Sequence, residues 1–202
     1  QQPPSAQPRR PAAAVSNLAR SDPAIATTAD IWDRDPMLLA TPGGLVDLQT
    51  GILWPSRPDA MTSRRTLCAP AEPETPCPKF LKFLSKITGG DRTLIKYLQV
   101  VAGYCLTGLT DEHVMFYLHG TGRNGKSVFL NTLASVMGDY ARTAAQDVFL
   151  ETHGDRHPTI LADLDGARLV IAPEADPSRK WRDSLIKQLT AGDPVTVNKM
   201  RQ

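Results

Sequence analysis

Three cysteines in 202 residues, Cys68, Cys77 and Cys105, are too few and too unevenly spaced for a disulfide framework. No C-x-x-C pair accompanies them, which excludes a zinc ribbon. Cys68 and Cys77 fall in a proline-rich stretch, whereas Cys105 sits in an apolar helical pattern, where a thiol packs as a small hydrophobe. Nothing in the chain approaches the run of about 18 apolar residues that a membrane span needs. The N-terminus also lacks the basic, apolar and small-residue succession of a secretory signal, so the chain reads as cytosolic. A charge excess is missing as well: 23 basic residues face 21 acidic ones, and residues 1–28 carry the whole surplus through Arg9, Arg10 and Arg20 against Asp22. Nucleic-acid contact must therefore come from local clusters, not from a globally basic surface.

What is present divides the chain into three parts. Residues 1–28 are rich in Pro, Ala and Gln with few large apolar groups, a composition that does not offset ordering entropy, and they read as a disordered linker or tail. The first residue is Gln, as it would be in a fragment of something longer. Residues 29–110 read as a small α+β accessory domain. In it, "MLLATPGGLVDLQTGILWP" alternates short apolar runs with turn residues and predicts a hairpin or meander. A proline-rich connector follows. "KFLKFLSKI" then places Phe80, Leu81, Phe83, Leu84 and Ile87 on one helical face, with Gly89-Gly90 as a stop. Asp91 caps a second helix whose inward residues are Leu94, Ile95, Leu98, Val101 and Leu106. Residues 111–202 read as an α/β core.

That core opens with the chemistry. "HVMFYLHG" has the composition of a buried strand, "GTGRNGKS" follows, and Val128, Phe129, Leu133, Val136 and Met137 recur at helical spacing. Gly120, Gly125, Lys126 and Ser127 match G-x-x-x-x-G-K-[ST] at every fixed position, in the strand, loop and helix context of a phosphate-binding P-loop. Gly120, Gly122 and Gly125 let backbone N–H groups close on a polyphosphate where a Cβ would obstruct them. Thr121, Arg123 and Asn124 complete the loop, with Asn124 placed to reach the outer phosphate of ATP or its attacking water. Lys126 adds a point charge on the outer phosphates, and the Ser127 hydroxyl is the candidate Mg²⁺ ligand. A second acidic position is required on a neighbouring strand; "ARLVIAPEAD" supplies Glu174 and Asp176 after a strand over Leu169 to Ala172. His119 reads as a structural group at a strand end, and His153 with His157 as part of a solvated loop. Arg179, Lys180 and Arg182 around Trp181 fit either a base-stacking patch or a solvated helix start.

Three stretches carry a resemblance: "GTGRNGKS", "HPTILADLDGARLVIAPEAD" and "LIKQLTAGDPVTVNK". With "TPGGLVDLQTGILWP" and "YLQVVAGYCLTG" upstream, the chain from about residue 37 onward resembles phage and plasmid primase-helicases, a superfamily 3 helicase group related to the poxvirus primase-helicase. The resemblance implies an AAA+-like P-loop NTPase core, truncated at the C-terminus. It further implies a homo-hexameric ring that hydrolyses ATP with Mg²⁺ to translocate on single-stranded DNA, a primase domain or primase partner, and a bacterial host's cytoplasm. Under it, Glu174 is the second-motif acid beside Lys126 in catalysis and Ser127 at the metal, and Lys199 is a phosphate contact to DNA. The second motif reads Pro173-Glu174-Ala175-Asp176 where the family has adjacent acids, so the division of labour between Glu174 and Asp176 stays open. Thr190-Ala191-Gly192-Asp193 replaces the family's threonine-glycine-glycine-aspartate. Two other readings use the same loop: a nucleotide or small-molecule kinase, for which no arginine-rich lid is seen, and an ATP-holding assembly module without turnover. The 202 residues stop before the family's polar sensor and its arginine finger. The expectation is that they bind ATP and hydrolyse it slowly; multiple turnover at helicase-like rates by this chain alone would refute it.

Overall fold

The computed structural model describes residues 10–23, 26–145, 148–151, 159–172 and 180–191, which form a mixed α/β structure with two small sheets. Helix α1 (Arg10–Ser21) lies inside the stretch read as a tail. Pro11 in its first turn and Ala12 to Ala14 behind it are good local helix material, which a reading based on apolar content overlooks. Val15 and Leu18 are exposed, so the helix rests on propensity rather than on these side chains' burial.

Strands β1 (Leu38–Thr41), β2 (Gly44–Asp47) and β3 (Leu53–Trp54) make the predicted antiparallel meander, in the order β1-β2-β3. Pro42-Gly43 forms the two-residue turn between Thr41 and Gly44, which face each other in register. Asp47 organises the second turn by accepting from the Gln49 N–H at 2.9 Å and the Thr50 hydroxyl at 2.8 Å.

Helices α2 (Pro78–Ile87) and α3 (Arg92–Tyr104) form the expected hairpin. Gly89 and Gly90 both adopt positive φ and end α2, and Asp91 caps α3 by accepting from the N–H groups of Thr93 and Leu94. Two inward assignments are corrected. Leu81 and Leu94 are 54% and 41% exposed. The buried stripe of α2 follows Phe80, Phe83, Leu84 and Ile87, and a 100° step from Phe80 carries Leu81 off it. On α3 the stripe runs through Ile95, Leu98 and Val101 instead.

The strand expected over residues 113–119 is absent: the segment has no regular structure and pairs with neither sheet among the described residues. A strand exists only through a ladder, and without one Val114, Met115 and Tyr117 are exposed while Phe116 alone reaches the main core. Helix α4 (Lys126–Met137) follows the glycine loop, and a single-turn 3₁₀ helix leads into β4 (Ala141–Thr143). The short helix α5 (Thr159–Ala162) precedes β5 (Leu169–Ile171), which pairs parallel with β4; helix α6 (Asp183–Thr190) closes the described chain.

One apolar cluster joins the parts that the sequence suggests are separate. Leu39 of β1, Val101 and Cys105 at the end of α3, Met137 of α4, Tyr140 and Leu169 of β5 pack together. Cys105 is therefore core, and burial raises its thiol pKa. Ala144, Val148 and Leu185 form a second, smaller cluster. Beside the first, the Tyr140 hydroxyl accepts from the Ala40 N–H at 3.1 Å and donates to the Arg64 carbonyl at 3.2 Å. The Arg168 guanidinium lies 4.5 Å from the centre of the Tyr140 ring and donates to the carbonyls of Leu106 (2.7 Å), Leu38 (2.8 Å) and Asp35 (3.4 Å).

Removing that hydroxyl orphans a buried amide, so Tyr140→Phe is expected to lower the unfolding free energy by about 1–3 kcal/mol in urea titrations. The same variant has a pH signature. Burial raises the Tyr140 pKa above its ordinary value of 10.0, so its contribution is complete below pH 10 and lost as pH rises past it. Tyr140→Phe should flatten that alkaline loss.

Candidate functional site

Residues 121–125 turn through successive bends into α4, and the local conformation departs from what helix stability alone would choose. Gly125 occupies the cap position with φ 85° and offers no side-chain acceptor to the first-turn N–H groups. Asp91 fills the same role on α3 with two hydrogen bonds, so the fold caps one helix and leaves the other open. The first turn of α4 holds no acidic residue and begins with Lys126, a cation at the positive end of the helix dipole. Several local rules are thus broken together at one place, an open helix N-terminus with a cation beside it.

The lysine is held inside the loop. Lys126 Nζ donates to the Gly120 carbonyl and to Asn124 Oδ1, each at 3.1 Å, which uses two of its three donors. The Asn124 amide lies so close across the loop that a Cβ on Gly120 would sit 1.7 Å from Asn124 Nδ2. Gly122 (φ 92°) and Arg123 (φ 50°) take left-handed conformations at the exposed tip. Thr121 and Arg123 are exposed, as is Ser127 one residue into α4. His119 is exposed before the loop and stacks on Tyr117 with ring centroids 6.4 Å apart.

The structure thus brings Gly120, Asn124, Gly125 and Lys126 into contact and places Ser127 beside them. Glu174, Asp176 and Lys199 lie outside the described residues, as do His153, His157 and Arg179. Strand β5, which was to deliver Glu174, is present over Leu169–Ile171 and is parallel to β4. Trp181 is bridged to Leu150, and the neighbouring backbone is paired through Glu151 N–H to Lys180 carbonyl and Arg182 N–H to Phe149 carbonyl. The Lys180 to Arg182 stretch is therefore a pinned segment ahead of α6.

Sequence reasoning missed the residues that press on the loop. Ile87 Cγ2 lies 2.5 Å, and Phe83 Cε2 3.2 Å, from the point a Cβ on Gly125 would occupy. Helical spacing places both on one face of α2, and no local pattern says what that face meets.

Residues 5–89 match the family described as D5 N terminal like. That match takes in the meander, the connector and α2, and stops before the glycine loop. The chain is also 27% identical over 170 residues to a protein of Acanthamoeba polyphaga mimivirus whose name reads "Putative helicase". The similarity covers 82% of this chain, which necessarily takes in residues 120–127, and the chain spans only 18% of that relative's length. Both findings agree with the resemblance to phage and viral primase-helicases. Among the described residues, no helix is long and apolar enough to cross a membrane.

Gly125→Ala would force a left-handed alanine, costing about 1–2 kcal/mol, and drive its Cβ into Ile87. Thermal or urea unfolding should show a loss of at least that size. Gly122→Ala should lose less, because no atom lies within 4 Å of the added methyl.

Proposed function

We propose that residues 120–127 bind the phosphates of ATP and that the chain supplies part of the motor of a primase-helicase acting on single-stranded DNA. The observation that carries this is the pairing of an uncapped helix N-terminus with the Lys126 ammonium, gathered in one glycine loop. The backbone N–H groups and the α4 dipole favour an anion there, and a polyphosphate reaching the loop would replace Gly120 and Asn124 as partners of Lys126. The exposed Ser127 hydroxyl fits an oxygen ligand for Mg²⁺, which would neutralise phosphate charge when bound. Glu174 is assigned by its place after β5 to the metal or the attacking water, and Lys199 to the DNA backbone. The similarity to a protein named as a helicase supports the same reading. On it, the core is an AAA+-like P-loop fold of the superfamily 3 kind, the working form a homo-hexameric ring, and a primase domain or partner acts with it.

The test is ATP hydrolysis with and without single-stranded DNA, in the protein as its gene encodes it, beside Lys126→Ala. Turnover stimulated by DNA and reduced on the order of 10²-fold in the variant is the expected result. ATP binding without stimulated turnover would replace the motor with an ATP-holding assembly module.

A further inference from the structure

The glycine loop is not left to solvent on all sides. Helix α2 runs past it, and two of its side chains, Phe83 and Ile87, close on the α carbon of Gly125 from outside the loop. Phe83 is itself held by stacking on Phe80, with centroids 6.0 Å apart and an interplanar angle of 28°. The same end of the helix is held in place: Leu84 is buried, and the Gly89-Gly90 turn ties α2 to α3, whose Val101 enters the main core. An apolar face of α2 therefore stands against Gly125.

We propose that Ile87, backed by Phe83, is the positioning residue of the phosphate loop, so that α2 sets the loop's affinity for polyphosphate without touching it. The inference rests on the reading of residues 120–127 as an ATP site. Glycine alone has broad conformational freedom, and Gly125 joins the loop to Lys126. If its φ of 85° relaxes, the Lys126 ammonium and the first N–H groups of α4 lose their common focus. Ile87 Cγ2 lies against Gly125, 2.5 Å from the point a Cβ there would occupy, and limits the room left on that side of the backbone. The contact is thus a mechanical link from the segment matching the D5 N terminal like family to a loop outside that match.

The atom concerned makes the test specific. Ile87→Val keeps Cγ2 and loses the terminal methyl, whereas Ile87→Leu keeps the volume and loses Cγ2. Titration of Mg²⁺-ATP and of inorganic tripolyphosphate, by calorimetry, would compare wild type, both variants and Lys126→Ala. The Leu variant should bind both ligands about fivefold more weakly, the loss of roughly one buried methyl contact, while the smaller Val variant binds as wild type does. Amide exchange over residues 120–129 should quicken in the Leu variant alone. A Val variant as weak as the Leu variant would mean bulk packing and overturn the proposal, as would unchanged exchange in the Leu variant. A loss confined to ATP would place the contact at the base instead and overturn it too. Failure of wild type to bind either ligand would refute the ATP site, and the exchange measurement would still decide the Ile87 contact.

Discussion

Arg168 is a half-buried cation with no carboxylate within ion-pair distance among the described residues. Its charge is met by carbonyl dipoles and by the π face of Tyr140. That arrangement dictates where the rest must go. The carbonyls of Asp35 and Leu38 fix the start of the meander, that of Leu106 fixes the exit from the helical hairpin, and Tyr140 fixes the exit from α4. Desolvation works against the guanidinium and lowers its pKa, and the carbonyls, with the more distant charges of Asp33 and Asp35, offset part of that cost. The cost of partly burying the charge is thereby turned into a geometric requirement on three segments at once.

A second layer of bonds reinforces the same junction. Arg64 pairs with Asp33 at 3.1 Å and donates to the Asp165 carbonyl at 2.8 Å, while Thr66 N–H meets the Ala40 carbonyl and Leu67 N–H the Val136 carbonyl. The proline-rich connector is ordered here because its backbone groups find partners on both the meander and α4. The two parts suggested by sequence thus share a core, and the loop at residues 120–125 is braced by α2 on one side and anchored through α4 on the other.

What the sequence made legible is what short-range chemistry decides. The meander, the Asp91 cap, the Gly89-Gly90 stop and the glycine loop are each specified within a few residues. The 113–119 segment was misread because strand composition is local but a strand is not, and the ladder it would need lies in neither described sheet. Leu94 looked inward because several registers fit a helix rich in apolar residues; the packing of Val101 and Cys105 chose one. The partners of Tyr140, Arg168, Phe83 and Ile87 left no local signal, since each of these residues acts on a segment distant in the chain. One clue was available: an arginine just ahead of an apolar strand, as in "GARLVI", asks what satisfies its charge.

The separation between Arg168 and its partners also sets an order in time. Leu38 precedes it by 130 residues and Ala40 precedes Tyr140 by 100. At synthesis rates of about 5–20 residues per second, the meander leaves the ribosome on the order of ten seconds before the guanidinium that fixes its position exists. With a third strand of only two residues, the meander is little more than an isolated hairpin of marginal stability, so during this interval its apolar face is open to any passing chain. The nascent protein is accordingly most exposed to chaperones, and to misassembly, before its parallel strands have been made.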